Sequence, residues 1–322
     1  MKKIFKQVAL LLLILLMLPV AAYAAGKIDL DRDAVLSISY IDGDTPLVGA
    51  EFRIYLVATA DEFGTLTTVD AFQQFHVDIQ GENDAAWKSL AATLEGYVLR
   101  DDIVPTDSGK TDQDGSLRFP TGEKKLTMGL YLVLGQRHTQ GEYRYDAAPF
   151  MVMLPSQDTA ENEWLYEVAV TPKYESTVIP DIPTTVTRKV LKVWDDANNE
   201  SARPKEITVQ LLRDGEVYDT VVLNAENNWR YVWNELEDSY TWTVAEQACE
   251  GYTVRVEQDG ITFVITNTAV PDEPKPTEPS KPNKPSLPNT GQLWWPVPML
   301  LLAGLVFVGI GLFRRRKSGT DA

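Results

Sequence analysis

Three polar side chains in the second half of the sequence interrupt rows of apolar residues that share one face of a predicted strand. They are Lys192, Glu246 and Asn267, an amine, a carboxyl group and an amide. Successive side chains of a strand point to opposite faces, so each polar group lies on the same face as apolar residues two positions away. The three rows are Val186, Val190, Lys192 and Trp194; Tyr240, Trp242, Val244 and Glu246; Phe263, Ile265 and Asn267.

Burial decides what these three groups can do. An isolated buried charge is very costly, so we expect the three side chains to meet one another. Desolvation should lower the pKa of the lysine and raise the pKa of the glutamate. At this level two interpretations stay open: a buried Lys–Glu pair with a hydrogen-bonded asparagine, or a site in which the amine reacts with the amide.

Other reactive groups are scarce. The chain has two histidines, His76 and His138, and one cysteine, Cys249, which cannot form an intramolecular disulfide. A zinc site or a His-dependent triad would need more than this, and no GxSxG, HExxH or phosphate-loop pattern occurs. We therefore predict a protein that is not an enzyme, with no cofactor and no metal. Aspartates in turn-like runs leave calcium binding as an alternative, although carboxylates are ordinary turn residues; they are Asp42, Asp44, Asp112, Asp114, Asp195 and Asp196.

The net charge of the chain limits the classes of partner that it can bind. Acidic residues outnumber basic ones, 46 to 30, and the formal net charge is −16. This argues against nucleic acid or an anionic membrane surface as a partner, and it suits an exposed soluble surface.

Periodicity predicts two globular, mainly β segments, 25–175 and 185–269, joined by a linker over 176–184. The second contains short alternating runs separated by turn signals and no long segment of period 3.6, which favours a β-sandwich. The first has similar runs and one amphipathic helix in DAAWKSLAATLEGYVLRDD, which we expect to cover a sheet face.

The two ends of the chain indicate export and anchoring. Residues 1–24 have the basic leader, apolar core and small-residue cleavage site of a signal peptide, with a first membrane anchor as the alternative. Residues 270–286 carry a proline every two or three positions, which favours an extended stalk over an ordinary flexible linker. Residues 293–313 are long and apolar enough to cross a bilayer, and the basic tail 314–322 should stay in the cytoplasm.

The pentapeptide between the stalk and the apolar span resembles the LPXTG sorting signal of Gram-positive surface proteins. It consists of Leu287, Pro288, Asn289, Thr290 and Gly291, followed by the span and the basic stop. The resemblance implies that a sortase attacks the Thr290 carbonyl and joins it to a peptidoglycan precursor or to a lysine of another subunit. The alternative is a turn before an ordinary membrane anchor.

The second segment resembles the Cna B-type domain of the same class of surface proteins, through KVWDDANNESARP, TVQLLRDGE, NNWRYVW, YTWTVAEQACEGYTV and ITNT. The resemblance implies an Ig-like sandwich and an intramolecular isopeptide bond between the Lys192 amine and the Asn267 amide, with Glu246 as the buried acid. A protonated Glu246 would hydrogen-bond to the amide carbonyl and pass protons to the departing ammonia. The first segment has Tyr40 where a lysine would be expected, so no such bond is predicted there.

The first segment ends in WLYEVAVTPKYE, which resembles the pilin motif of Gram-positive shaft pilins. Trp164, Pro172 and Lys173 match that motif, whereas Thr171 and Tyr174 depart from it. The resemblance implies that Lys173 accepts Thr290 of another pilin subunit; the alternative is a solvated lysine after a strand.

Together these features predict a secreted structural protein attached to the cell wall, a pilus subunit built from two tandem sandwich domains. The alternative is a wall-anchored adhesin whose first domain binds a host or matrix ligand. Sandwich loops can host many ligands, so the sequence does not name one.

Overall fold

The protein is described by a computed structural model over residues 26–81, 83–158, 163–180, 182 and 184–270. The predicted signal peptide, sorting signal, membrane span and basic tail lie outside the described residues, as does the predicted stalk beyond Val270. Among the helices that are described, none has the length and apolar character needed to cross a membrane.

Within its described residues the first domain contains fifteen strands, two of the shortest forming a hairpin at 41–46, and two helices. The strands are β1 Val35–Ser39, β2 Ile41–Asp42, β3 Thr45–Pro46, β4 Glu51–Ala60, β5 Leu66–Thr68, β6 Asp107–Lys110, β7 Ser116–Phe119, β8 Gly129–Gly135, β9 His138–Gln140, β10 Tyr143–Ala147, β11 Phe150–Leu154, β12 Ser156–Asp158, β13 Glu163–Leu165, β14 Glu167–Val170 and β15 Tyr174–Val178. The helices are α1 Asp70–Gln73 and α2 Asp84–Arg100.

The main sheet of the first domain has the order β11-β8-β4-β5, with β6 paired to β4. A second sheet, β14-β1-β7, contains a parallel pair between β1 and β14. Large fully buried side chains fill the space between these layers, among them Leu36, Phe52, Phe119 and Tyr131. Strand β15 pairs with β10 through Val178, so the first domain continues a few residues into the segment predicted as a linker.

The second domain is a sandwich of two sheets. Its strands are β16 Thr185–Asp195, β17 Glu206–Arg213, β18 Glu216–Asn224, β19 Arg230–Glu237, β20 Trp242–Glu246, β21 Tyr252–Asp259 and β22 Thr262–Ala269, with a short 3-10 helix at Glu200–Ala202. One sheet has the order β19-β16-β22-β21 and the other has the order β18-β17-β20. The first and last strands, β16 and β22, lie side by side and parallel.

The mainly β architecture and the helix over 84–100 are confirmed. The helix, however, does more than cover a sheet of its own domain. Its buried apolar residues belong to a single apolar cluster that also contains residues of β8 of the first domain and of both sheets of the second. The two domains therefore share a continuous core across α2.

Strands β18 and β21 of the second domain differ in how clearly their burial alternates. Strand β18 is exposed over its first three residues and has no clear alternation there. Strand β21 does alternate, with Tyr252, Val254 and Val256 buried.

Candidate functional site

The predicted polar cluster lies inside the second domain, and pairing between strands accounts for its position. In the parallel pair of β16 and β22, Lys192 is opposite Ile265 and Trp194 is opposite Asn267. Lys192 and Asn267 are therefore diagonal neighbours on the inward face of one sheet. Glu246 ends β20 of the facing sheet and closes the cluster from the other side.

The structure brings all three predicted residues together. The Lys192 Nζ atom lies 3.4 Å from Glu246 Oε2, and Asn267 Nδ2 donates to Glu246 Oε1 at 2.7 Å. The Lys192 and Glu246 side chains are 0% and 1% exposed, and Asn267 is also fully buried. Lys192 Nζ further donates to the backbone carbonyls of Val193 at 3.3 Å and Ile265 at 3.4 Å.

The amide of Asn267 faces Glu246 with its nitrogen, whereas the sequence argument expected its carbonyl to meet the acid. Asn267 Oδ1 is buried and has no hydrogen-bond partner among the described residues. In this arrangement the carboxyl group contacts the nitrogen that would depart as ammonia, and a half-turn of the amide would present the oxygen instead.

Desolvation shifts the two pKa values of the pair in the directions that the sequence predicts. Burial lowers the pKa of Lys192 to about 8, although the nearby Glu246 carboxylate acts in the opposite direction. Burial raises the pKa of Glu246, and Lys192 and the Asn267 hydrogen bond offset only part of that rise. Both shifts favour the neutral amine and the neutral acid, which is the state that an attack on an amide needs.

Trp194 and its neighbours form the outer wall of the site, a feature that the sequence analysis did not assign. Lys192 Nζ lies 4.5 Å from the centre of the Trp194 ring, close enough for a cation–π contact when the amine is charged. Tyr252 packs edge-on against the same ring at 5.1 Å. Behind it, Arg203 binds the buried Asp196 carboxylate at 2.7 and 2.8 Å. Trp194 shares the strand phase of Lys192, which is the signal that could have found it.

Helix α2 supplies the inner wall. Tyr97 is buried, and Glu246 is among the charges that raise its pKa, after burial itself. Arg100 Nη1 donates to the Glu246 carbonyl at 3.4 Å. No sequence pattern links a helix of the first domain to an acid of the second, so this contact could not be predicted.

The Lys173 side chain is exposed and lies between β14 and β15, away from the buried cluster. It borders a groove of about 970 Å³ between the two domains, shared with Lys88 of α2 and with Glu257 and Asp259 of β21. Its backbone is fixed, because the Lys173 carbonyl accepts from Ala148 N at 2.8 Å and Pro172 is buried. An exposed amine on a fixed backbone is accessible to a macromolecular partner.

Tyr40 of the first domain is buried and packs edge-on against Phe52 and Tyr174. Lys192 is the one buried lysine in the described part of the chain. Within the same residues no three or more His, Cys, Asp or Glu side chains come together as metal ligands. Some of the turn aspartates have protein partners: Asp42 accepts from Tyr145 and Tyr174, and Asp112 accepts from backbone amides.

Comparison with known proteins agrees with this architecture. Residues 188–268 match the family model of the Cna protein B-type domain, and residues 29–175 match that of the Gram-positive pilin subunit D1, N-terminal domain. The chain is thus of the pilus and adhesin-like structural class. More specifically, it is a pilin-like surface protein that carries a Cna B-type domain.

Individual relatives match smaller regions. The chain is 34% identical over 155 residues to a collagen adhesin of Staphylococcus aureus, covering 38% of this chain and 13% of that protein. It is 37% identical over 86 residues to fimbrial subunit type 2 of Actinomyces naeslundii, covering 26% of this chain and 15% of that protein. A solved mutant of the shaft pilin SpaA from Lactobacillus rhamnosus GG matches at 18% identity with a TM-score of 0.26, covering 74% of this chain and 99% of that one. The chain therefore spans less than a sixth of the two curated relatives, and a TM-score of 0.26 supports no argument.

Proposed function

We propose that this chain is a pilus subunit attached to the Gram-positive cell wall, with a second domain held closed by an isopeptide bond between Lys192 and Asn267. The buried contact of Lys192, Glu246 and Asn267 carries the proposal. A merely structural role gives little reason to bury an amine, an acid and an amide together in a core, because each loses hydration there.

The chemistry balances without any co-reactant. The neutral Lys192 amine attacks Cγ of Asn267, forming a new C–N bond, and the bond between Cγ and Nδ2 breaks. The protonated Glu246 gives its proton to Nδ2, which leaves as ammonia, and the resulting carboxylate takes a proton from the attacking nitrogen. Folding supplies the proximity, where effective molarities can reach about 10⁵ M or more.

The bond also has a structural purpose. The domain has no disulfide, since Cys249 is the one cysteine of the chain. A covalent tie between β16 and β22 would join the first and last strands of the domain. Tension applied along the chain would then be carried by the bond between these two strands and not by the noncovalent contacts of the strands between them.

Peptide mapping of the full chain tests the bond. We expect a proteolytic peptide pair joined through Lys192 and Asn267, lighter than the sum of its parts by one ammonia. Lys192→Arg should abolish the joined pair, because a guanidinium is not a competent nucleophile. Lys189→Arg, on the same strand but exposed, is the matched control and should keep it. Separate, full-mass peptides from the folded wild-type protein would refute the bond.

The pilus role adds sortase as a partner and Thr290 as the point of transfer. Lys173 is the acceptor in this proposal, because its amine is exposed beside the interdomain groove. A wall extract of cells producing the full chain should give a ladder of covalent multimers on a denaturing gel. Thr290→Ala should remove both the ladder and the wall linkage.

Lys173→Arg should abolish the ladder while a single wall-linked species persists. Lys88→Arg provides the control, since Lys88 is exposed and borders the same groove. A ladder that survives Lys173→Arg would move the acceptor to another lysine. A wild-type extract with only one wall-linked band would favour the second candidate, an adhesin, which the match to a collagen adhesin supports.

A further inference from the structure

Four strands lie at the sheet edges of the second domain, and two of them, β20 and β21, face helix α2 of the first domain. Strand β20 pairs with β17 alone, and β21 pairs with β22 alone. Helix α2 of the first domain contacts both strands. The helix therefore closes the side of the sandwich at which Glu246 stands.

Hydrogen bonds fix this docking. Alternate amides of β21 point away from β22 and need acceptors. Val254 N donates to the His76 carbonyl at 2.8 Å, and Val256 N donates to Thr93 Oγ1 at 2.7 Å in a buried contact. Both acceptors come from the first domain, so these two amides of β21 have protein acceptors only when the domains are docked.

The approach to β20 is closer still. A Cβ atom on Gly96 would lie 2.5 Å from the Val244 carbonyl oxygen, so the helix touches the strand backbone two residues before Glu246. Glycine is the residue that permits such an approach. One turn further along, Arg100 binds the Glu246 carbonyl.

Several charged or titratable groups face Glu246. Lys192 comes from β16, Tyr97 and Arg100 from α2, and Cys249 from the segment after β20. Two of these four groups belong to the helix, which also contributes apolar side chains to the core around β20 and β21, namely Leu90, Leu94 and Val98. Removing the helix would expose this side of Glu246 to water.

We infer that helix α2 positions Glu246 for the cross-linking reaction, with Gly96 and Thr93 as the positioning residues, so that Lys192 joins Asn267 at full rate only when the first domain is docked. This inference rests on the isopeptide bond of the proposed function. The two events would then occur in a fixed order, because the bond in the second domain forms after the first domain has docked on it.

The physical reason is the protonation state. The reactive form pairs a neutral amine with a neutral acid, and its population depends on how strongly burial favours both. Water admitted beside Glu246 would lower its pKa and raise that of Lys192. Each unit by which the pKa of Glu246 falls relative to the pKa of Lys192 reduces the population of the neutral pair about tenfold.

Rates measured on the full chain test the inference. The full chain is made and pulse-labelled by cell-free translation and is kept unlinked in denaturant. Dilution into mild detergent at several pH values starts folding, and mass spectrometry of successive samples follows the loss of ammonia. Gly96→Ala should slow the reaction about tenfold or more and broaden its bell-shaped pH profile. Gly122→Ala is the control, because a Cβ on Gly122 meets nothing within 4 Å, and it should keep the wild-type rate.

Thr93 provides a second, milder variant in case Gly96→Ala fails to fold. Thr93→Val removes the acceptor for Val256 N and should slow the reaction, while Thr93→Ser keeps a hydroxyl and should restore it. Gly96→Ala and Thr93→Val reacting at the wild-type rate would overturn the inference and leave the bond intact. Slow variants with an unchanged pH profile would also overturn it, since that indicates general loosening. A wild-type chain that never loses ammonia would overturn the bond itself, and the inference with it.

Discussion

The substitution Glu246→Gln separates the chemistry of the buried cluster from its packing. Glutamine has nearly the same shape, and its side-chain oxygen can still accept from Asn267 Nδ2, as Glu246 Oε1 does at 2.7 Å. It cannot accept or deliver a proton. We therefore expect the folded variant to keep its full sequence mass, with Lys192 and Asn267 both present and unjoined.

The loss of the bond should also be visible in stability. The tie from residue 192 to residue 267 closes a loop of about 75 residues, and by loop-closure entropy such a tie contributes about 4 to 5 kcal/mol. The variant additionally leaves Lys192 buried without a carboxylate, which acts in the same direction. If the two domains, residues 26–270, unfold as one unit of about 245 residues, the loop contribution alone corresponds to a fall in Tm of about 10 to 20 °C.

Intact mass and calorimetric melting of the same sample are the assay. Glu216→Gln is the control, because Glu216 is an exposed acid at the start of β18 in the same domain. That variant should keep both the mass deficit and the wild-type Tm. A Glu246→Gln protein that still lacks one ammonia would refute the role of the acid. A protein with full mass but unchanged Tm would refute the estimate of what the tie contributes.

Two further predictions concern the unlinked protein and the domain junction. In Asn267→Leu, Lys192 stays free with its pKa lowered to about 8, while the unfolded chain keeps the ordinary value near 10.5. Between these values the unfolded state binds more protons, so the free energy of unfolding should rise with pH, by up to about 3 kcal/mol. Urea denaturation at several pH values measures this free energy, and the Asn267→Leu/Lys192→Met variant gives the contribution of all other titrating groups, which is subtracted. A difference between the two variants that does not change with pH would contradict the lowered pKa of Lys192. Thr93→Val should cost about 1 to 3 kcal/mol of stability by stranding Val256 N, whereas the exposed Thr177→Val should be nearly neutral in the same experiment.

The sequence determined the cluster because its signal is local. Period-two alternation places Lys192, Glu246 and Asn267 on inward faces, and the cost of burying a lone charge requires that they meet. All three side chains are buried, and Glu246 contacts both of the others. The same alternation predicted the mainly β character of both domains, and spacing of three and four predicted the helix over 84–100.

The sequence did not determine what the helix covers. Its apolar stripe shows that one face is buried, but Ser89, Thr93 and Gly96 are buried as well, which hydropathy does not indicate. Thr93 is buried because it accepts from Val256 N, and Gly96 is buried because the backbone of Val244 lies against it, both about 150 residues later in the chain. Ser89 donates to the Glu257 side chain of the same domain. The orientation of the Asn267 amide was likewise decided by contacts in the folded core. Sequence pattern gives each segment its inward face, whereas only tertiary structure decides which surface that face meets, because the match depends on shape and unpaired polar groups that are distant in the chain.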